Sequence, residues 1–127
     1  MAKIEGNCRE VFEAAEFMAI VTSGDDGPHV VGNWGEYLRT VGIREDIIVL
    51  PAGRYQRTER NLRSNKRIQL LLASKKVQGT RTPGQGYLIE GSGEVQSSGP
   101  LFDEVKAKFP WARGALVIQV EKVTAQL

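Results

Sequence analysis

An arginine and a threonine at the head of a helix, behind a glycine loop, are the residues of this chain best suited to chemistry. In residues 47–61 a short apolar run ends at Leu50 and Pro51-Ala52-Gly53 forms a tight loop. Arg57 and Thr58 then fall in the first turn of a predicted helix. Such a junction suits a phosphate. Free backbone N–H groups and the positive end of the helix dipole face the anion, and an arginine adds a permanent charge. The pattern points to a phosphorylated small molecule.

Other candidates are weaker alone. Gly32-Asn33-Trp34-Gly35-Glu36-Tyr37 places two glycines inside a predicted strand, where they mark a bulge or a close approach to a ligand. Strand alternation puts Trp34 and Tyr37 on opposite faces, and a bulge near Gly35 would bring them to one side. Trp34 then either lies against an aromatic ligand or packs in the core. Arg54, Arg57, Arg60 and Arg63 recur every third residue. At about 100° per residue the row drifts roughly 180° around the helix, so it is not a nucleic-acid stripe. The stretch Ser74–Gly86, with Lys75, Lys76, Gln78, Gly79 and Arg81, reads as a ligand-facing or a solvent loop.

Absences narrow the chemistry. His29 is the only histidine and Cys8 the only cysteine, so no Cys/His metal cluster and no intrachain disulfide can form. No Walker A or complete dinucleotide fingerprint is present. His29 reads as a strand residue beside a turn, and Cys8 as an inert helix residue. Any redox activity would have to come from a bound cofactor.

The elements that must position these residues follow from periodicity. Helices are predicted over 8–17, 58–64 and from Pro100 to before Pro110. Strands are predicted over 17–23, 29–41, 46–50, 67–74, 87–96 and 115–123, with Arg67–Ser74 buried on both faces or nearly so. Asp25-Asp26-Gly27-Pro28 is a turn and 79–86 a loop. The order α-β-β-β-α-β-β-α-β predicts a mainly β protein, an antiparallel sheet closed into a small barrel with helices outside. It argues against alternating βαβ units. The chain has 127 residues, is 41% apolar and 25% charged and carries net charge +2. These values predict one domain spanning 1–127 and a soluble, cytoplasmic protein with no membrane segment, and the charge is too small by itself to imply a nucleic-acid partner.

Together, several short pieces resemble the FMN-binding split-barrel group, which includes pyridoxamine 5′-phosphate oxidase, and within it the small FMN-binding proteins of sulfate-reducing bacteria. They are Ala19-Ile20, Gly27-Pro28-His29, Trp34 with Tyr37, Pro51-x-Gly53, Thr58-Glu59-x-Asn61, Ser74-x-Lys76-Val77-x-Gly79, Pro83-Gly84-x-Gly86, Gly91-Ser92 and Trp111-Ala112-Arg113. Their shared order covers nearly the whole chain. The resemblance implies a six-stranded antiparallel split barrel and a homodimer with flavin mononucleotide (FMN) near the subunit interface. It places the FMN phosphate near Gly32, Asn33, Arg57 and Thr58. The ring falls near Trp34, Pro51, Ala52, Gly53 and Arg54. Lys76, Gln78 and Gly79 are further cofactor-binding positions, and Trp111 and Leu127 help to cover the ring. Two departures stand out. The family has Lys where this chain has Arg57, and Asn-Thr where it has Gly32-Asn33.

The implied function is FMN-based electron transfer with an unknown redox partner and no catalytic side chain. The alternatives are a flavin-dependent oxidoreductase, such as a flavin reductase or a pyridoxamine phosphate oxidase relative, and a barrel binding haem, a deazaflavin or nucleic acid.

Overall fold

The computed structural model describes residues 2–79, 81 and 83–127. Its elements, in chain order, are α1 (Gly6–Ala14), β1 (Phe17–Gly24), β2 (Gly27–Trp34), α2 (Gly35–Val41), β3 (Ile47–Ala52), α3 (Gln56–Ser64), β4 (Arg67–Gln78), β5 (Pro83–Gln96), α4 (Pro100–Lys108) and β6 (Gly114–Gln126). The strands form one six-stranded sheet in the order β2-β1-β4-β5-β6-β3. Every pairing is antiparallel. The sheet curls around its core but ends at two edges, β2 and β3. The expected barrel is therefore split. Asn33, on β2, meets Tyr55, just beyond β3, through a side-chain hydrogen bond of 2.5 Å.

Two apolar clusters hold this shape. Alternation turns Met18, Ile20, Ile68, Leu70, Leu72 and Ile89 inward, where they meet Val11 and Phe12 of α1. A second cluster lies on the other face of β3 and β6. There Val49, Ala115 and Val117 pack against Val41, Val105 and Phe109 from the helical segments. Burial on both faces explains why residues 47–50 read as a continuous apolar run rather than an alternating one. β4 differs from expectation. It alternates, and Leu71 is exposed, because none of the described residues covers its outer face there.

The main correction concerns residues 29–41. The predicted long strand stops at Trp34, and a helix follows. Leu38 and Val41 are buried at helical spacing. Gly35 starts the helix against α1, where a Cβ would lie 1.9 Å from the Ala15 carbonyl oxygen. Arg39 donates to the carbonyls of Phe12 and Ala15 at 3.2 and 2.7 Å. These contacts are long-range, so local alternation could not reveal them. The helix rather than a bulge turns Tyr37 away from Trp34.

The predicted 79–86 loop is also shorter. β4 runs to Gln78, and β5 begins at Pro83 and pairs back onto it. Thr80 and Thr82 lie outside the described residues. β3 extends through Pro51 and Ala52, paired with Ala115 and Gly114. Proline is tolerated there because β3 is an edge strand. Helix α3 begins at Gln56, earlier than predicted, so Arg57 and Thr58 do stand in its first turn.

Candidate functional site

Helix α3 is fixed by polar packing. Asn61 is buried and donates to Thr22 Oγ1 of β1 at 3.1 Å. Gly24 leaves room for it, since a Cβ there would lie 2.3 Å from Asn61 Oδ1. The N-terminus of α3 therefore sits beside the β1–β2 turn. Arg57 pairs through Nη2 with Asp26 of that turn. The hydrogen bond and charge of Arg57 hold the Asp26 carboxyl below the usual carboxylate range. Two groups in this first turn, Arg57 Nε and Thr58 Oγ1, are buried with no hydrogen-bond partner among the described residues. Buried polar atoms are normally satisfied, so an unpaired pair beside free helix N–H groups is a donor set awaiting an acceptor.

Next to it lies an open depression of about 400 Å³, lined by Gly32, Asn33, Tyr37, Pro51, Gly53, Arg54, Tyr55 and Trp111. It bridges the split between β2 and β3. Its volume falls within the range of small-molecule sites. Trp111 forms one wall. Its ring lies over Gly53, where a Cβ would come within 2.8 Å of it. Tyr37 and Phe109 buttress the ring, with centroids 5.7 and 5.5 Å from it.

A residue absent from the expected set holds this wall in place. Arg113 donates to the carbonyls of Gly53 and Arg54 at 3.2 and 3.0 Å and to Glu59 Oε1 at 2.8 Å. Its own backbone N–H donates to the Ala52 carbonyl at 2.9 Å. One guanidinium thus ties the β3–α3 loop, the start of α3 and the Trp111 segment together. Tyr37 and Tyr55 were likewise not among the expected ligand residues. Tyr37 reached the depression through the unforeseen helix α2. Tyr55 carries no local sequence signal.

The expected site residues fall into separate groups. Gly32, Asn33, Pro51, Gly53, Arg54 and Trp111 line the depression. Ala52 is buried at the end of β3, and Arg57 and Thr58 stand at the neighbouring helix start. Gly32 has a packing role as well, since the Phe17 ring crosses it and a Cβ would lie 2.3 Å from that ring. Trp34 is 53% exposed on the outer face, edge-on to Phe17. Lys76, Gln78 and Gly79 lie at the far end of the β4–β5 hairpin. Leu127 lines a second cavity with Ser74, Lys75 and Gln85. Trp111 precedes the start of β6 and Leu127 follows its end, so the length of β6 (Gly114–Gln126) lies between them along the chain.

Among the described residues no group of three or more His, Cys, Asp or Glu side chains could hold a metal ion. No helix among the described residues is long and apolar enough to cross a membrane.

A six-stranded antiparallel split barrel with flanking helices, its cleft between the two edge strands, defines a pyridoxamine 5′-phosphate oxidase-like fold. The chain belongs to the pyridoxamine 5′-phosphate oxidase family, which it matches over residues 4–126. It is 41% identical over 117 residues to the FMN-binding protein of Nitratidesulfovibrio vulgaris (strain Miyazaki F), covering 92% of this chain and 93% of that protein. Among solved structures it resembles a variant of HupZ from Group A Streptococcus, with TM-score 0.77, 16% identity and coverage of 97% and 99%. It also resembles an FMN-binding protein from Syntrophomonas wolfei, with TM-score 0.64, 14% identity and coverage of 94% and 88%. At such identities the two structures speak to the fold alone.

Proposed function

We propose that this protein binds FMN and serves in electron transfer. The observation that carries the reading is the junction of two complementary surfaces. An anion-binding helix start with unpaired Arg57 Nε and Thr58 Oγ1 adjoins a depression walled by Trp111, Pro51 and Gly53. A phosphomonoester with a charge of about −1.5 to −2 suits the first surface. A flat heteroaromatic ring suits the second. The residues present thus fit FMN, and the 41% identical relative bears that name. Bound FMN would supply the redox chemistry. The chain supplies the rest: Arg57 and Thr58 hold the phosphate, Trp111 limits the ring's contact with water, and Arg113 keeps that wall in register.

The working unit is a homodimer. Phe17, Val30, Trp34 and Leu71 are 52, 61, 53 and 42% exposed. The strand register gathers them on one face: Phe17 lies opposite Trp34, Val21 opposite Val30, and Leu71 between Ala19 and Leu88. An apolar face of this kind marks an interaction surface. A two-fold axis through it would let Lys76, Gln78 and Leu127 of one subunit serve the depression of the other.

Titration of flavin-free protein with FMN, followed by flavin fluorescence, tests the reading, with sedimentation velocity for the dimer. Saturable binding at one FMN per chain is expected, weakened at least tenfold by Arg57→Ala. Absence of binding by the wild-type chain refutes it.

A further inference from the structure

The contact between Asn33 and Tyr55 does more than bring the sheet edges together. Its donors and acceptors are fixed by elimination. The backbone N–H of Trp34 points at Asn33 Oδ1 at 2.9 Å. A backbone N–H can only donate, so that atom is the amide oxygen and the other is the NH2 group. The NH2 group lies 2.5 Å from the Tyr55 hydroxyl oxygen and donates to it. A phenol that accepts in this way keeps its own proton to give. Among the described residues the Tyr55 hydroxyl donates to no protein acceptor, and Asn33 and Tyr55 both line the depression.

Two further features single the residue out. Burial pushes the Tyr55 phenol up to about 12, against the hydrogen bond from Asn33. It therefore remains a donor throughout the physiological range. Its backbone is left-handed, with φ 66° and ψ 26°, a conformation that glycine or asparagine adopts at lower cost. A tyrosine kept there at the N-cap of α3 aims a polar group where a glycine would aim none.

We propose that Tyr55 is a ligand-binding residue, its hydroxyl oriented by Asn33 to donate to an acceptor oxygen or nitrogen of the molecule in the depression. This rests on the flavin reading, since FMN offers such acceptors along its ring edge and its polyol chain. Because the phenol already accepts one bond, its donated bond is strengthened by polarisation. The pair Asn33–Tyr55 thus adds a neutral donor between the anion-binding helix start and the Trp111 wall.

The experiment is FMN titration of wild-type, Tyr55→Phe, Asn33→Ala and double-variant proteins, with Tm of the flavin-free forms and the visible spectrum of the bound flavin. Tyr55→Phe is expected to raise Kd about 3- to 10-fold, to shift the bound-flavin absorption band and to leave the flavin-free Tm within about 2 °C of wild type. Asn33→Ala is expected to weaken binding too, and to add little once Tyr55 is Phe. Wild-type affinity and an unmoved band in Tyr55→Phe would overturn the proposal while leaving the flavin reading intact. So would a loss of affinity matched by a collapse of the flavin-free Tm, which marks a structural role. If the wild-type chain itself binds no FMN, both readings fall together.

Discussion

Replacing Arg113 by alanine is the sharpest test of how the site is held. The side chain gives hydrogen bonds to the carbonyls of Gly53 and Arg54 and to Glu59. A hydrogen bond to a charged group contributes about 1.5–3 kcal/mol when its partner is left dry. Arg113 and Glu59 are 35 and 20% exposed, so water reaches part of the site and screens the ion pair. Glu59 also keeps Arg63, at 3.2 Å. The total loss expected for Arg113→Ala is therefore about 2–3 kcal/mol, well below the sum of three dry bonds. For a domain of this length that is a fall in Tm of roughly 8–11 °C. Urea unfolding monitored by circular dichroism measures it. Arg113→Lys retains the charge but not the planar fork, and is expected to recover less than half of the loss. A change below about 0.5 kcal/mol would refute the claim that this guanidinium organises the loop.

Three other expectations can be checked directly. Gly53→Ala forces a methyl against the Trp111 ring; because the ring is half in solvent it yields first, so a red-shifted tryptophan emission and a loss of about 1 kcal/mol are expected. Phe17→Glu places a charge on the apolar outer face and is expected to convert a dimer to monomers in sedimentation velocity, with native circular dichroism retained. Burial raises the Cys8 thiol from 9.0 to about 11, so native protein should react slowly with a thiol reagent at pH 8 and rapidly once unfolded. The same shift has a definite sign for stability. Cys8's contribution is fully present below pH 9 and is lost as pH rises toward 11, and Cys8→Ala should flatten that alkaline loss.

Much of the architecture was legible because its signals are local. Runs rich in apolar and β-branched residues marked β1 and β4 as strands. The turn at Asp25–Pro28 and the proline at the start of α4 marked element boundaries. The first turn of α3 followed from the loop before it. Where tertiary contacts outweighed local pattern, the reading failed. Gly35–Val41 looks like strand until α1 is packed beside it. Leu71 looks like core until the outer face of β4 is seen to be uncovered.

For the site, the sequence by itself determined a helix start with Arg57 and Thr58, a Pro-Ala-Gly loop and Trp34 as the aromatic candidate, while Trp111 was named only through the family resemblance. Those are set by short-range chemistry, the need of an anion for donors and of a flat ring for a flat surface. Only the tertiary structure decided their arrangement. It placed β2 and β3 at opposite ends of the sheet order yet side by side across a cleft. It set Phe17 over Gly32, turned Trp34 outward, and sent Leu127 along β6 away from Trp111. Arg113 and Tyr55 entered the site the same way, through partners 54 and 22 residues distant. The physical reason is that a curled sheet makes neighbours of residues remote in sequence, and a one-dimensional pattern contains no measure of that curvature.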